Sequence, residues 1–353
     1  MADCIKCGKE IIPYEMSLTK KMINRGTDKY MCQSCLAAHL RTTEQELDAL
    51  ALFFKKTGCA LFTMKLKGAD MFKREEIRIR DPFILTDKAN KKYYMYGTTA
   101  FLDGVSYSTS TTFSAYVSED LENFEGPYVI FDGKKEGFWA TCDYWAPEVH
   151  EYKGKYYLLG SFKSETRPRG TQILVADTPL GPFKPLTENP ATPLDHECLD
   201  GTLWIEDGVP YLVYSHEWLQ IYDGEICAVQ LTDDLKSWVG EPFVLFKASD
   251  HPDVTSHEER DGKKCYVTDG PFLYKENGRV TMIWSSFIHG DYSVLVAQAD
   301  SIRGKWEHKA PKFDFDGGHS MIFETLEGQK KISLHRPNTL TKERAVFYDI
   351  EIK

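Results

Sequence analysis

One hairpin pattern occurs five times along this 353-residue chain. Each copy has a short apolar strand, a turn rich in charged residues or glycine, and a second apolar or aromatic strand that returns beside the first. The copies begin at Ile79, Tyr144, Leu199, Thr268 and Gly318. Their spacing of about 50 to 70 residues is typical of radially repeated sheets, so we predict an all-β fold, a five-bladed β-propeller.

The segments between the hairpins support blades with more than two strands. Four of them contain a further apolar strand, a turn and an aromatic residue, at 113–124, 173–183, 226–238 and 294–306. The propeller is predicted to span 75–353, and its last strand lies near 345–350. Because an unclosed ring exposes a sheet edge, we expect a terminal strand from one end of the chain to complete a blade begun by the other end.

The N-terminal residues 1–62 differ from the rest and predict a small α+β zinc-binding module. Cys4, Cys7, Cys32 and Cys35 form two Cys-x-x-Cys pairs, the spacing of a tetrahedral zinc site with no open position. A helix is expected to start at Thr42 or Thr43 and to end at Gly58, with Leu47, Leu50, Ala51 and Phe54 facing inward. Residues 63–74 read as a polar linker.

This module resembles treble-clef and zinc-ribbon domains in its cysteine pairs and in the run from Pro13 to Gly26. Because no ligand position is left open, we expect the zinc to be structural, and the resemblance implies that the module binds a partner protein or nucleic acid. Lys20, Lys21 and Arg25 form a weak basic patch that we interpret as a solvated surface. The net charge of −10 also argues against nucleic acid as the main partner.

Localisation is inferred from the residues after Met1. No apolar run precedes the first cysteine, so we expect neither a secretory signal nor a membrane span. The nine cysteines are then expected to be metal ligands and free thiols in a reducing cytoplasm.

Three of the five hairpins open with an aspartate: Asp81, Asp200 and Asp269. The first strand of each propeller blade lines the central axis, so these carboxylates are expected to converge at one end of it. Clustered acids repel one another, and such a cluster is expected only where it performs chemistry or holds a cation.

The openings of the five hairpins, taken together, resemble the motifs of glycoside hydrolase family 43. They are, in order, Arg80-Asp81-Pro82, Trp145-Ala146-Pro147, Leu199-Asp200-Gly201, Asp269-Gly270-Pro271 and Gly318-His319. The resemblance covers about residues 75–352. It implies a glycosidase that inverts the anomeric carbon, with Asp81 as general base and Asp200 as the residue that tunes the pKa of its partner and orients it.

The residue at the general-acid position differs from the one usual in the family. Where family members have a Glu-Gly-Pro run, this chain has Asp269-Gly270-Pro271, whose carboxyl sits one methylene further back. We expect Asp269 to be the acid. Glu217 is the alternative, because it ends a strand that returns to the same rim, and Glu148 and Glu197 are weaker alternatives.

Other residues are assigned to sugar or cation binding. By resemblance, His319 helps to hold an axial cation, often calcium through waters, and Arg336 contacts a sugar hydroxyl. Trp145 and Tyr144 offer apolar faces to a sugar ring, and Trp218 and Phe287 are expected at the rim of the pocket.

Two functions are consistent with this sequence. The first is a cytoplasmic, exo-acting glycosidase that removes terminal arabinofuranose or xylose from plant-derived oligosaccharides. The second, motivated by the Asp269 departure, is a catalytically weakened sugar-binding or sensing propeller whose zinc module recruits a partner.

Overall fold

A computed structural model describes residues 2–56, 59, 61–62, 71–99 and 108–352. The N-terminal segment contains three helices: α1 (Pro13–Met22), α2 (Gln33–Leu40) and α3 (Glu44–Lys56). Thr43 caps α3, because its hydroxyl accepts from the N–H of Glu46 at 3.1 Å while the Glu46 carboxylate accepts from the N–H of Thr43 at 2.9 Å. Gly58, expected to end this helix, lies outside the described residues.

The small core of this segment is formed by Leu18, Leu36, Leu47, Ala51 and Phe62, all at most 1% exposed. Leu50 was expected to share this core, and that prediction is wrong. Its side chain is 36% exposed, since it lies at the edge of the inward face of α3, about 60° around the helix axis from Leu47 and about 100° from Ala51.

The described residues from 71 onward form six sheets, and the five largest are the blades of the predicted propeller. The strands of blade one are β1 (Met71–Lys73), β2 (Arg80–Asp87), β3 (Lys92–Thr98), β4 (Thr112–Ser118) and β5 (Asn123–Asp132). Those of blade two are β6 (Cys142–Tyr152), β7 (Lys155–Ser164), β8 (Arg167–Ala176) and β9 (Lys184–Pro185). Those of blade three are β10 (Cys198–Glu206), β11 (Val209–His216), β12 (Glu225–Leu231) and β13 (Trp238–Lys247).

A separate hairpin, β14 (Glu258–Arg260) and β15 (Lys263–Cys265), precedes blade four. The strands of blade four are β16 (Asp269–Glu276), β17 (Arg279–Ile288), β18 (Asp291–Ala299) and β19 (Glu307–Phe313). Those of blade five are β20 (Gly318–Glu324), β21 (Lys330–Arg336) and β22 (Arg344–Asp349). Two short helices, α4 (Gly133–Glu136) and α5 (Trp218–Ile221), interrupt the loops.

The ring closes without the expected exchange of a terminal strand. Within the described part of the chain, blade five consists of β20, β21 and β22, while β1 pairs with β5 on the outer edge of blade one. The prediction that one end of the chain completes a blade of the other end is therefore wrong. Side chains join the first and last blades instead: Arg80 forms an ion pair with buried Glu343 at 2.8 Å, and the hydroxyl of Ser333 donates to the Pro82 carbonyl at 2.8 Å.

Two features bear on the predicted domain boundary. Residues 63–70 of the expected linker lie outside the described residues. Met71–Lys73, also expected in the linker, form strand β1 of blade one. Among the described helices, none has the length and apolar character needed to cross a membrane.

Candidate active site

The opening strand of every blade has a residue in the left-handed backbone region, and that of blade two has an additional one, Asp143. Five of these residues, one in each blade, occupy equivalent positions with φ between 45° and 55°: Asp81, Ala146, Asp200, Gly270 and His319. Each lies in an interruption of the pairing between the first and second strands of its blade. A β-bulge of this kind redirects a side chain, and bulges are enriched beside active sites.

Asp269 does not occupy the same position as Asp81 and Asp200. It pairs with Ser285 as Arg80 pairs with Thr98, one residue before the left-handed position. The expectation that all three aspartates open their strands equivalently is wrong. The left-handed residue of blade four is Gly270, where an added Cβ would lie 2.8 Å from the His319 ring, so no side chain fits there.

The aspartates nevertheless meet. Asp81, Asp200 and Asp269 line one cavity of about 320 Å³, together with predicted site residues Trp145, Glu217, Trp218 and His319. Its remaining lining residues are Arg80, Thr98, Ser108, Leu199, Tyr292 and Leu340.

A ring of hydrogen bonds fixes the left-handed residues. In four blades the N–H of this residue donates to a side chain at the end of the second strand of the preceding blade. The four bonds run from Ala146 to Thr98 Oγ1 (2.7 Å), from Asp200 to Ser161 Oγ (2.9 Å), from His319 to Ser285 Oγ (2.8 Å) and from Asp81 to His335 Nδ1 (3.2 Å). The fifth differs, because the N–H of Gly270 donates to Oδ2 of Asp200 at 3.0 Å and the hydroxyl of buried Ser215 has no partner among the described residues.

Asp81 is held as a carboxylate. Its Oδ2 accepts from the Thr98 hydroxyl at 2.7 Å, and its Oδ1 lies 3.2 Å from Nδ1 of His319. Burial alone would raise the pKa of Asp81, but His319, His335 and Arg80 outweigh it and hold that pKa well below its usual range. An ionised carboxylate at this position can accept a proton from water.

The pKa of Asp200 is shifted in the opposite direction to that of Asp81. Its Oδ2 lies 3.7 Å from Nδ1 of His319, so one imidazole nitrogen is close to both Asp200 and Asp81. Burial and the neighbouring Asp81 raise the pKa of Asp200 well above its ordinary value. Its position beside Asp81 suits the tuning role that the resemblance implies.

Asp269 is poised between the two charge states. Burial and the nearby Asp200 raise its pKa to about 7. The Tyr292 hydroxyl lies 3.0 Å from its Oδ2. A carboxyl that is partly protonated at neutral pH can serve as a general acid.

Glu217 also reaches the cavity, but it is paired with a cation. The guanidinium of buried Arg169 hydrogen-bonds to Glu217 and, at 2.9 Å, to Asp143, and it stacks 4.1 Å from the ring centroid of Trp145. Burial raises the pKa of Glu217, while Arg169 opposes that rise. Because a direct ion pair favours the carboxylate, we assign Glu217 a structural role with Arg169 and Trp145.

The weaker alternatives lie outside the cavity. Glu148 is buried and contacts His150 Nε2 at 2.8 Å. Glu197 forms an ion pair with Lys163 at 2.8 Å and accepts from the N–H of Arg169.

Two of the predicted sugar contacts are also outside it. Tyr144 is 1% exposed, packs against Phe162, and donates its hydroxyl to the Ala140 carbonyl at 2.9 Å, so it is a core residue. Arg336 is exposed, with its guanidinium 4.2 Å from the ring centroid of Phe315. Both predictions placed the side chain on the wrong side of its strand. In blade five the side chain that faces Asp81 is that of His335, the residue before Arg336.

A second cavity of about 350 Å³ adjoins the first and shares Arg80, Trp218, Asp269, Tyr292 and Leu340 with it. Phe287, expected at the rim, lines this second cavity and stacks on His257 at a centroid distance of 4.2 Å. Asp269 therefore lies on the wall between two spaces.

The axial cation at His319 stays a prediction. Its Nδ1 is engaged by Asp81 and Asp200, which leaves Nε2 as the ring nitrogen for a hydrated cation. Among the described residues, the one group of three or more metal-ligating side chains with closely spaced donor atoms is that of the four cysteines. The reaction proposed below therefore involves no calcium ion.

The four cysteines of the N-terminal segment do form a metal-binding arrangement. The sulfur atoms of Cys4, Cys7, Cys32 and Cys35 all lie within 4.8 Å of one another, and the sulfurs of Cys7 and Cys32 are 3.6 Å apart. Tetrahedral zinc with Zn–S bonds of about 2.3 Å requires sulfurs roughly 3.8 Å apart. The donor set therefore fits zinc.

Sequence reasoning missed Tyr292, Arg169, Thr98 and His335. Tyr292 and Arg169 could have been found from the sequence. The third strand of a blade starts at the rim where the second strand ends, and both residues lie near the start of a third strand. Thr98 and His335 end second strands, the position that singled out Glu217.

Comparison with known proteins identifies the family of the chain. The family model described as glycosyl hydrolases family 43 matches residues 76–349. An endo-arabinase from Bacteroides thetaiotaomicron is 40% identical, with 80% of this chain and 97% of that chain covered and a TM-score of 0.72. An endo-1,4-beta-xylanase from the same organism is 26% identical, with coverages of 78% and 92% and a TM-score of 0.62.

An alpha-L-arabinofuranosidase from Lactobacillus brevis shares the fold at 16% identity, with coverages of 78% and 91% and a TM-score of 0.62. A search of curated proteins finds no match. The family model covers most of the chain, and its matched range contains all three aspartates of the cavity. The chain therefore belongs to glycosyl hydrolases family 43.

Proposed function

We propose that this glycoside hydrolase cleaves α-L-arabinofuranosyl or β-D-xylosyl linkages with inversion and removes terminal pentose units from oligosaccharides. The observation that carries the proposal is the convergence of Asp81, Asp200 and Asp269 on one cavity, with pKa values shifted in different directions. Two carboxyl groups of unlike protonation state are what acid and base roles require.

The proposed reaction has a simple proton balance. Asp81 takes a proton from water as the water oxygen bonds to the anomeric carbon. The bond from that carbon to the leaving oxygen breaks, its electron pair stays on the oxygen, and Asp269 gives the oxygen a proton. Inverting glycosidases place these carboxyls roughly 6.5 to 9.5 Å apart, so that water fits between base and sugar.

Asp269 is preferred to Glu217 as the acid on electrostatic grounds. Glu217 is bonded to the Arg169 guanidinium, whereas Asp269 is bonded to a neutral phenol and lies near a second carboxyl. A general acid must keep its proton until the transition state, and a direct guanidinium partner opposes that.

Internal cleavage of arabinan is the second candidate. It is favoured by the 40% identity to an endo-arabinase and by the second cavity beside Asp269, which would accept sugar on the far side of the cleaved bond. Release of monomer from arabino-oligosaccharides supports the terminal mode, while a rapid loss of arabinan viscosity with oligomeric products supports the internal mode.

The test is hydrolysis of a panel of nitrophenyl glycosides and oligosaccharides by wild type and by Asp81→Asn. Pentose release by wild type that the variant lacks supports the proposal. Calorimetric sugar binding with no turnover, and no gain from Asp269→Glu, would instead favour a sugar-binding protein whose zinc module recruits a partner.

A further inference from the structure

Tyr292 is the one described side chain that hydrogen-bonds to the carboxyl of Asp269, with its hydroxyl 3.0 Å from Oδ2. The bond is notable because Asp269 is shorter by one methylene than the glutamate usual at this place in the family. A misplacement of about 1 Å in a reacting group can cost a hundredfold in rate. A short acid therefore needs a fixed orientation.

The Tyr292 ring can provide that orientation because it is tightly held. It is 3% exposed and lies nearly parallel to the His335 ring, with centroids 5.7 Å apart. Its other neighbours are Phe287, at a centroid distance of 5.4 Å, and Gly318, where an added Cβ would lie 2.5 Å from the ring. The hydroxyl thus has little freedom to leave Asp269.

We propose that Tyr292 is a positioning residue for the general acid: its hydroxyl donates to Oδ2 of Asp269 and leaves Oδ1 to carry the proton that the leaving oxygen receives. This inference rests on the proposed function. Tyr292 transfers no proton itself. Burial and the neighbouring Asp269 raise its pKa well above the ordinary value, so the phenol stays neutral and remains a donor.

The same hydrogen bond assists the reaction as charge develops. Once Asp269 has given up its proton, both of its oxygens share a negative charge, and a hydrogen bond to a charged acceptor is stronger than one to a neutral acceptor. Tyr292 therefore stabilises the product form of the acid more than its starting form. Such stabilisation increases the rate most for a substrate whose leaving group is poor and must be protonated as the bond breaks.

The experiment compares Tyr292→Phe with wild type on two substrates of one pentose. One is a glycoside with an activated leaving group, a dinitrophenyl pentoside, and the other is an unactivated disaccharide or alkyl pentoside. We expect kcat/KM to fall about tenfold or more on the unactivated substrate and much less on the activated one. The alkaline limb of the kcat profile should also move to higher pH, because removing the donor raises the pKa of Asp269.

Tyr274→Phe is the matched control. It removes one phenol oxygen from the same blade, at a residue that lines neither cavity, and should leave both substrates and the pH profile unchanged. The double variant Asp269→Ala/Tyr292→Phe should be no slower than Asp269→Ala, since the phenol acts through that carboxyl.

Equal losses on both substrates with an unmoved alkaline limb would show that Tyr292 serves packing alone and would overturn the inference. So would wild-type behaviour of Tyr292→Phe. These outcomes differ from failure of the proposed function, in which wild type itself hydrolyses neither substrate.

Discussion

Gly270 and His319 are packed so closely that a Cβ on Gly270 would lie 2.8 Å from the imidazole ring. The same imidazole has its Nδ1 3.2 Å from Asp81 and 3.7 Å from Asp200. The glycine of blade four thus sets the position of the ring that links the base to its neighbouring carboxyl.

Gly270→Ala is therefore expected to displace His319 and to lower activity at least tenfold. It should also lower the free energy of unfolding by about 2 to 3 kcal/mol, from steric overlap and from a residue with a side chain at φ 51°. Gly278→Ala is the control, since it has φ 76° but nothing within 4 Å of an added Cβ. It should cost about 1 kcal/mol and leave activity intact; equal effects of the two variants would contradict this account.

The alkaline side of the pH profile should report Asp269. Because the protonated form is the active acid, kcat should fall as pH rises through about 7. Asp81 stays ionised throughout this range because its pKa is held low, so the fall cannot come from the base. Asp269→Asn should remove this limb along with most of the activity on unactivated substrates.

Glu217→Gln provides the comparison. It should keep the limb near pH 7, although the loss of the Arg169 pair will destabilise the protein, because a buried guanidinium loses a partner. If the alkaline fall in kcat disappears in Glu217→Gln and persists in Asp269→Asn, the general acid is Glu217 and not Asp269.

The hydrogen-bond ring predicts unequal costs for two similar serines. Ser285 accepts from the N–H of His319 at 2.8 Å, whereas the structure describes no hydrogen-bond partner for the hydroxyl of Ser215, although both residues are fully buried. Ser285→Ala should cost about 1 to 2 kcal/mol of stability and Ser215→Ala close to none. Chemical denaturation of both variants measures the difference, and equal losses would show that the ring does not contribute.

The cysteine cluster predicts one zinc ion per chain. Metal analysis of the purified protein should find it, and Cys4→Ser or Cys32→Ser should release it and unfold residues 2–56, since structural zinc contributes on the order of 10 kcal/mol to such modules. Cys59→Ser is the control, because Cys59 packs in the same core but lies outside the cluster. Zinc retained by Cys4→Ser would refute the tetrahedral site.

The sequence predicted the blades, because their period and strand pattern are local properties. It also predicted which aspartates share a cavity, since position on the first strand of a blade fixes distance from the axis. It failed where one residue of register decides the outcome. Tyr144 and Arg336 were placed on the wrong side of their strands, and the offset of Asp269 from Asp81 depends on the contact between Gly270 and His319, two residues 49 positions apart in the sequence.

The closing of the ring was not predictable in the same way. Arg80 and Glu343 meet only because the fifth blade returns to the first, and nothing in either segment indicates that an ion pair replaces a shared strand.

The most direct measurement of the central claim tracks the anomeric form of the first sugar released, by proton NMR, with wild type and Asp81→Asn. Asp87→Asn, at the other end of the same strand, serves as a control that should retain full activity. Wild type is predicted to release β-L-arabinofuranose from an α-linked substrate, or α-D-xylose from a β-linked one, and Asp81→Asn to lose activity by about a thousandfold or more with unchanged folding. Release of the retained anomer, or undiminished hydrolysis by Asp81→Asn, would contradict the account.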